Sequence, residues 1–146
     1  MLIALVEASP NCRLSFEGRL ALHQGQFEQV RTLETTLEGC NTNYEPYLEA
    51  TRAESAVVAG SDDAEEQLAA AQRLAKENDF VAAQLLRATG RLDHDETALK
   101  DSVAGWDAIG ARFERACALL LLPDRVDEGS AELAALGCIP PAASWY

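Results

Sequence analysis

Apolar residues recur along this chain at three- and four-residue intervals, and no stretch alternates convincingly at two. That period predicts helices throughout, since positions i, i+3, i+4 and i+7 share one helix face. The clearest helix spans about Asp62 to Glu77. Asp62 and Glu65 offer a capping box at its start, and Ala64, Leu68, Ala71 and Ala75 form an apolar stripe that Leu74 widens. A second runs from about Asp95 to Ile109, with Asp95 and Glu96 in the first turn, Leu99, Val103 and Trp106 on one face, and Gly110 placed as a left-handed cap. The same punctuation predicts Arg13 to Gln24 before Gly25, and Gln26 to Glu38 before Gly39, with Phe27, Val30 and Leu37 inside. Pro46 is tolerable only in a first turn, so a helix starts near Tyr44 or Glu45, capped by Asn43, and continues to Gly60. Asp79 to Thr89 stops at Gly90, Ala111 to Leu121 at Pro123, and Asp124 to Leu136 at Gly137. Pro141 opens a last short helix toward Tyr146.

These helices fall into pairs of recurring length. Gly25, Gly60, Gly90 and Pro123 each end the first helix of a pair, at separations of 35, 30 and 33 residues. Those lengths lie close to the roughly 34 residues of a tetratricopeptide unit. Leu14, Gly18, Ala21, Gly25, Phe27, Val30 and Leu37 fall where such a unit wants its small and large packing residues, and Ala53, Ala56, Gly60, Ala83 and Gly90 repeat the small positions. The expected fold is therefore all-α, a right-handed array of antiparallel helix pairs in one domain over 1–146. Its pairs cover about 13–39, 44–77, 79–109 and 111–137, with a partial helix over 141–146. In that register Arg19, His23, Glu54, Gln84 and Arg87 point into the concave groove, and their polarity suits a protein or peptide ligand.

Composition agrees with helices and adds a constraint on partners. Of 146 residues 26 are alanine, the strongest helix former. Lys and Arg number 12 against 24 Asp and Glu, a net charge of −12 that opposes nucleic acid and anionic membrane surfaces. The acids concentrate in first turns and on outer faces: Asp62, Asp63, Glu65, Glu66, Asp93, Asp95, Glu96, Asp124, Asp127 and Glu128. The longest apolar run, Ala116 to Leu122, falls far short of the about 20 residues a spanning helix needs. Met1 to Glu7 lacks the basic start of a secretory signal, so a cytoplasmic location is expected.

Candidate chemistry is sparse. Cys12, Cys40, Cys117 and Cys138 make no C-x-x-C pair, and His23 and His94 are too isolated for a zinc pattern, so no metal or cofactor is expected. Asp93-His94-Asp95 is the one compact cluster of metal-capable side chains, and it reads better as a loop whose acids cap the next helix. No serine sits in a G-x-S-x-G elbow and no G-x-x-x-x-G-K-[ST] loop exists, so no catalytic residue is assigned and an enzyme is not expected.

The stretch Trp106-Asp107-Ala108-Ile109-Gly110-Ala111-Arg112-Phe113-Glu114-Arg115-Ala116 and the later Ala134-Ala135-Leu136-Gly137-Cys138-Ile139-Pro140-Pro141-Ala142-Ala143 carry a resemblance. They resemble segments of the tetratricopeptide-like C-terminal half of large bacterial ATP-dependent transcriptional regulators of the LuxR and AAA class. The resemblance covers about residues 80 to 145 and implies a helical module that transmits through protein or ligand contacts, without the nucleotide-binding module or the helix-turn-helix. The expected function is a non-catalytic protein-interaction or regulatory scaffold. The alternatives are a self-assembling bundle, in which the apolar end with Trp145 packs on a second copy, and a small-ligand sensor.

Overall fold

The computed structural model describes residues 10–35, 44–75, 77–142 and 145, and the side chains of these except 10–16 and 33–35. Among them are eight α-helices and no strand: α1 (Pro10–His23), α2 (Phe27–Thr35), α3 (Glu45–Ala59), α4 (Ala64–Leu74), α5 (Asp79–Leu92), α6 (Glu96–Ala108), α7 (Arg112–Leu119) and α8 (Val126–Leu136). Each odd-numbered helix packs on the even-numbered helix that follows it, and α3 packs also on α1 and α5. No helix among the described residues is long and apolar enough to cross a membrane.

Most expected stops are where the glycines put them. Gly25, Gly60, Gly110 and Gly137 take left-handed conformations with φ of 65–70°. Gly90 does not stop its helix: α5 runs through it to Leu92. A Cβ there would lie 2.6 Å from Leu99 Cγ, so the missing side chain serves close approach to α6. Gly129 does the same for α8, where a Cβ would meet the Ala116 carbonyl oxygen at 2.8 Å. Gly18 faces Thr51 of α3.

The caps depart from expectation in two places. α4 begins at Ala64, two residues later than its acids suggested, and its cap residue Asp63 makes no side-chain capping bond, so the Asp62–Glu65 box does not form. Asp63 instead accepts from Gln67 Nε2 at 2.6 Å. Tyr44 stands at the cap of α3 without a side-chain bond, while Asn43, Leu37 and Gly39 lie outside the described residues. Asn78 and Asp95 do cap, accepting from the N–H of Val81 and from those of Thr97 and Ala98. The helix expected over 141–146 is absent at Pro141 and Ala142, which are not helical; of the rest only Trp145 is described.

Three apolar clusters hold the helices. One joins α3, α4 and α5 through Ala50, Ala53, Leu68, Ala71, Val81, Leu85 and Ala88. Another joins α5, α6 and α7 through Ala83, Leu99, Val103, Trp106, Ala118, Leu119 and Leu122. The remaining one brings the first pair onto the last: Ala21, Leu22 and Val30 pack with Ala116, Cys117, Leu120, Leu133 and Trp145. The ten acids assigned to outer faces are all exposed.

Candidate functional site

The four odd-numbered helices carry polar groups into the interior at positions where their stripes lead one to expect apolar residues. Arg19 and His23 come from α1, Thr51 and Glu54 from α3, Gln84, Arg87 and Arg91 from α5, and Glu114 from α7. Helical spacing explains the convergence: Glu54 follows the buried Ala50 by four residues, and Arg87 and Arg91 flank Ala88. Each helix therefore has a polar residue on its buried face.

Glu54 anchors the network from a fully buried position. Its carboxylate accepts from Arg87 Nε at 2.6 Å, from Arg87 Nη2 at 3.0 Å and from Gln84 Nε2 at 3.1 Å. The two Arg87 bonds form a two-pronged pair, which fixes the angle between α3 and α5 more tightly than a single contact could. Gln84 Nε2 also reaches Thr51 Oγ1 at 3.3 Å. On its other side Arg87 Nη1 lies 2.8 Å from Glu114 Oε2 and donates to the Glu114 carbonyl oxygen at 3.3 Å. The other Glu114 oxygen accepts from Arg19 Nη2 and lies 3.1 Å from His23 Nε2. One chain of contacts thus runs from α3 through α5 and α7 to α1.

Electrostatics follow from this geometry. Burial works against the Arg87 charge, but the Glu54 and Glu114 carboxylates outweigh it and hold the guanidinium protonated. Burial would raise the Glu114 carboxyl; the Arg87 and Arg19 charges and the His23 hydrogen bond hold it well below the usual carboxylate range. Arg91 is different. Burial pulls it down to about 10, Glu54 opposing and Arg87 reinforcing that shift. It forms no ion pair among the described residues, and its Nε and Nη2 are buried without a hydrogen-bond partner.

Aromatic rings fill the space between the charges. Trp145, 1% exposed, lies with its ring 4.9 Å from the Arg87 guanidinium carbon, 4.3 Å from that of Arg91 and 4.6 Å from the His23 ring. Phe113 meets the far side of His23 edge-on at 5.1 Å. Trp106 lies beneath Arg87 at 5.4 Å, and Arg19 stacks on Phe80 at 4.4 Å. Such stacking offsets part of the cost of burying guanidinium groups. Beyond the α8 cap, the described segment is tied to this place by a main-chain bond from the Ala142 N–H to the His23 carbonyl at 2.9 Å. Trp145 Nε1 and His23 Nδ1 have no hydrogen-bond partner there. An unpaired buried polar group costs roughly 1–3 kcal/mol, so the Trp145 contact carries an unmet polar demand.

Burial pushes the Cys117 thiol up to about 12, so it remains protonated and non-nucleophilic at neutral pH. Among the described residues no group of three or more His, Cys, Asp or Glu could hold a metal ion. Asp93-His94-Asp95 supplies a cap, through Asp95, and a left-handed turn residue, His94 at φ 54°.

All five residues expected in the groove are brought to one place. Glu54, Gln84 and Arg87 are buried, while the side chains of Arg19 and His23, 18% and 11% exposed, mark the rim. Glu114, Arg91 and Trp145 were not among them. Glu114 had a legible signal, since it precedes Cys117 by three residues on the apolar face of its helix. Trp145, set against a second copy in the self-assembling alternative, is packed within its own chain. Comparison of the chain with protein-family models, with curated proteins and with solved structures finds no match.

Proposed function

We propose that the chain is a tetratricopeptide-like, right-handed array of four helix pairs that works as a non-catalytic protein-interaction module. The observation that carries this reading is the convergence of charged side chains from all four first helices in one place, where Glu54, Arg87 and Glu114 are buried and Arg19 and His23 remain partly exposed at the edge. An array of helix pairs buries each stripe on its neighbours and leaves the faces of its first helices as the natural binding surface. The distribution of charge supports the same reading: the acids stand outside, and arginines gather inside a chain of net charge −12. The ligand class this favours is an acidic peptide. The resemblance of 106–116 and 134–143 to the helical modules of bacterial transcriptional regulators supports a role in signal transmission, without direct contact to nucleic acid. In the self-assembling alternative Trp145 would have to leave its own chain, where it is buried.

The test is selection of peptides from a random display library on the purified chain, followed by calorimetric titration of the winners. The variants are Arg19→Gln and His23→Gln, at rim positions, with folding checked by circular dichroism. Selected peptides should be rich in Asp and Glu and should bind each variant at least tenfold more weakly. No enrichment over an unrelated helical control, or affinities that ignore both variants, would sink the reading.

A further inference from the structure

We infer that the slot now filled by Trp145 is a recognition site for a partner segment bearing an aromatic side chain beside a carboxylate, and that Trp145 is its displaceable internal occupant. This rests on the interaction reading above and names the partner chemistry of that same inner surface. The shape of the slot is aromatic: the Arg87 and Arg91 guanidinium groups lie 4.9 and 4.3 Å from the ring, and His23 lies 4.6 Å away. Its polarity is not matched by what fills it. Arg91 Nε and Nη2, His23 Nδ1 and the indole Nε1 of Trp145 itself are all buried without a hydrogen-bond partner.

Charge counting points the same way. Among the described residues Arg19, Arg87 and Arg91 enter the interior with Glu54 and Glu114 to answer them, and both carboxylates are engaged by Arg19 and Arg87. Among those residues Arg91 has no carboxylate of its own. The described residues of the occupying segment, 138–142 and Trp145, include no acidic side chain with which to answer it. A carboxylate next to an inserted ring would supply the missing acceptor, as charge-assisted hydrogen bonds to arginine are the strong ones.

The described part of the internal occupant is held by side-chain burial more than by main-chain bonds. Between Ile139 and Ala142 the one described main-chain bond to the helices is that from Ala142 to His23, and Ile139 and Pro140 are exposed. Pro141 and Trp145 are the buried anchors. Among the described residues a competing segment displaces the Pro141 and Trp145 side chains and the Ala142–His23 bond, and its carboxylate gains an ion pair with Arg91.

Three capped peptides test this on the full chain: acetyl-Glu-Trp-Glu-amide, acetyl-Gln-Trp-Gln-amide and acetyl-Glu-Ala-Glu-amide. The first should bind at least tenfold more tightly than either of the others by calorimetry. With both tryptophans replaced by 5-fluorotryptophan, the Trp145 fluorine resonance, assigned with Trp145→Phe, should move to a solvent-exposed shift as this peptide is added, while that of Trp106 stays. Trp145→Ala, which removes the competitor, should raise affinity at least tenfold, and Arg91→Met should make the Glu and Gln peptides equal. If Trp145→Ala does not fold, the fluorine experiment on the wild-type side chain decides alone. Equal binding of the Glu-Trp-Glu and Gln-Trp-Gln peptides, or a Trp145 resonance unmoved at saturation, overturns the inference. A doubling of mass in light scattering on peptide addition does so too, since it means that the freed segment docks on a second copy. Display-selected peptides that bind without moving Trp145 would leave the interaction module standing and remove this site from it; failure of every peptide would remove both.

Discussion

Glu114 shows how much rests on single buried charges. Its carboxylate answers Arg87 on one oxygen and Arg19 and His23 on the other, in a place where water cannot substitute. Glu114→Gln would leave Arg87 with Glu54 alone and Arg19 with no carboxylate partner among the described residues. Breaking one partner out of a buried ionic network costs about 3–5 kcal/mol, so the urea midpoint of the variant should fall by a large part of the protein's stability. A midpoint within error of the wild type would show that the network is not energetically coupled. Gly90 makes a second residue-scale case. Sequence punctuation predicts a helix stop there, yet the helix continues and the glycine is needed because a Cβ would strike Leu99 at 2.6 Å and the Asp95 carbonyl at 3.0 Å. Gly90→Ala should raise intrinsic helix propensity and still destabilise, by about 1–3 kcal/mol from overpacking, as read by thermal unfolding. A stabilised variant would mean that α6 yields at no cost.

At the scale of elements the helices were legible because their signals are local. Apolar spacing, the glycines at 25, 60, 110 and 137, and the cap residues Asn78 and Asp95 act within one or two turns, so a linear reading finds them. The Asp62–Glu65 box failed for a local reason too, since Asp63 occupies the cap position and pairs with Gln67. The two termini should therefore respond differently to substitution. Asn78→Ala removes an acceptor from the Val81 N–H and should cost about 1 kcal/mol in chemical denaturation. Asp62→Ala is exposed and makes no cap, and its effect should stay within about 0.5 kcal/mol. Equal losses at the two sites would mean that Asp62 caps α4 in solution after all.

For the whole molecule, the acids divide into a solvated exterior and a working pair inside. Glu114 binds protons more weakly folded than its ordinary value of 4.5, whereas the unfolded chain regains that value. Its contribution is thus fully present above about 4.5 and is lost as pH falls from there toward the depressed folded value. Stability measured by urea denaturation between pH 6 and pH 3 should drop at the acid end, and Glu114→Gln should flatten that drop. A slope shared by both proteins would assign the acid sensitivity to the exposed carboxylates. The third apolar cluster is another whole-molecule feature, because it joins residues of the first pair to residues about 90 positions later, as the Arg19–Glu114 and His23–Glu114 contacts do.

The linear order of residues determined the all-helical class, most helix limits, the solvated exterior acids and the identity of five inward polar residues, because period and capping are short-range effects. Tertiary structure alone decided that Arg19 would meet Glu114, that Arg87 would bridge two carboxylates, and that Trp145 would close the slot beside Arg91. Those contacts depend on how the helices sum their packing angles, which close approaches such as Gly90 on Leu99 and Gly129 on Ala116 help set. No window of the sequence contains that sum.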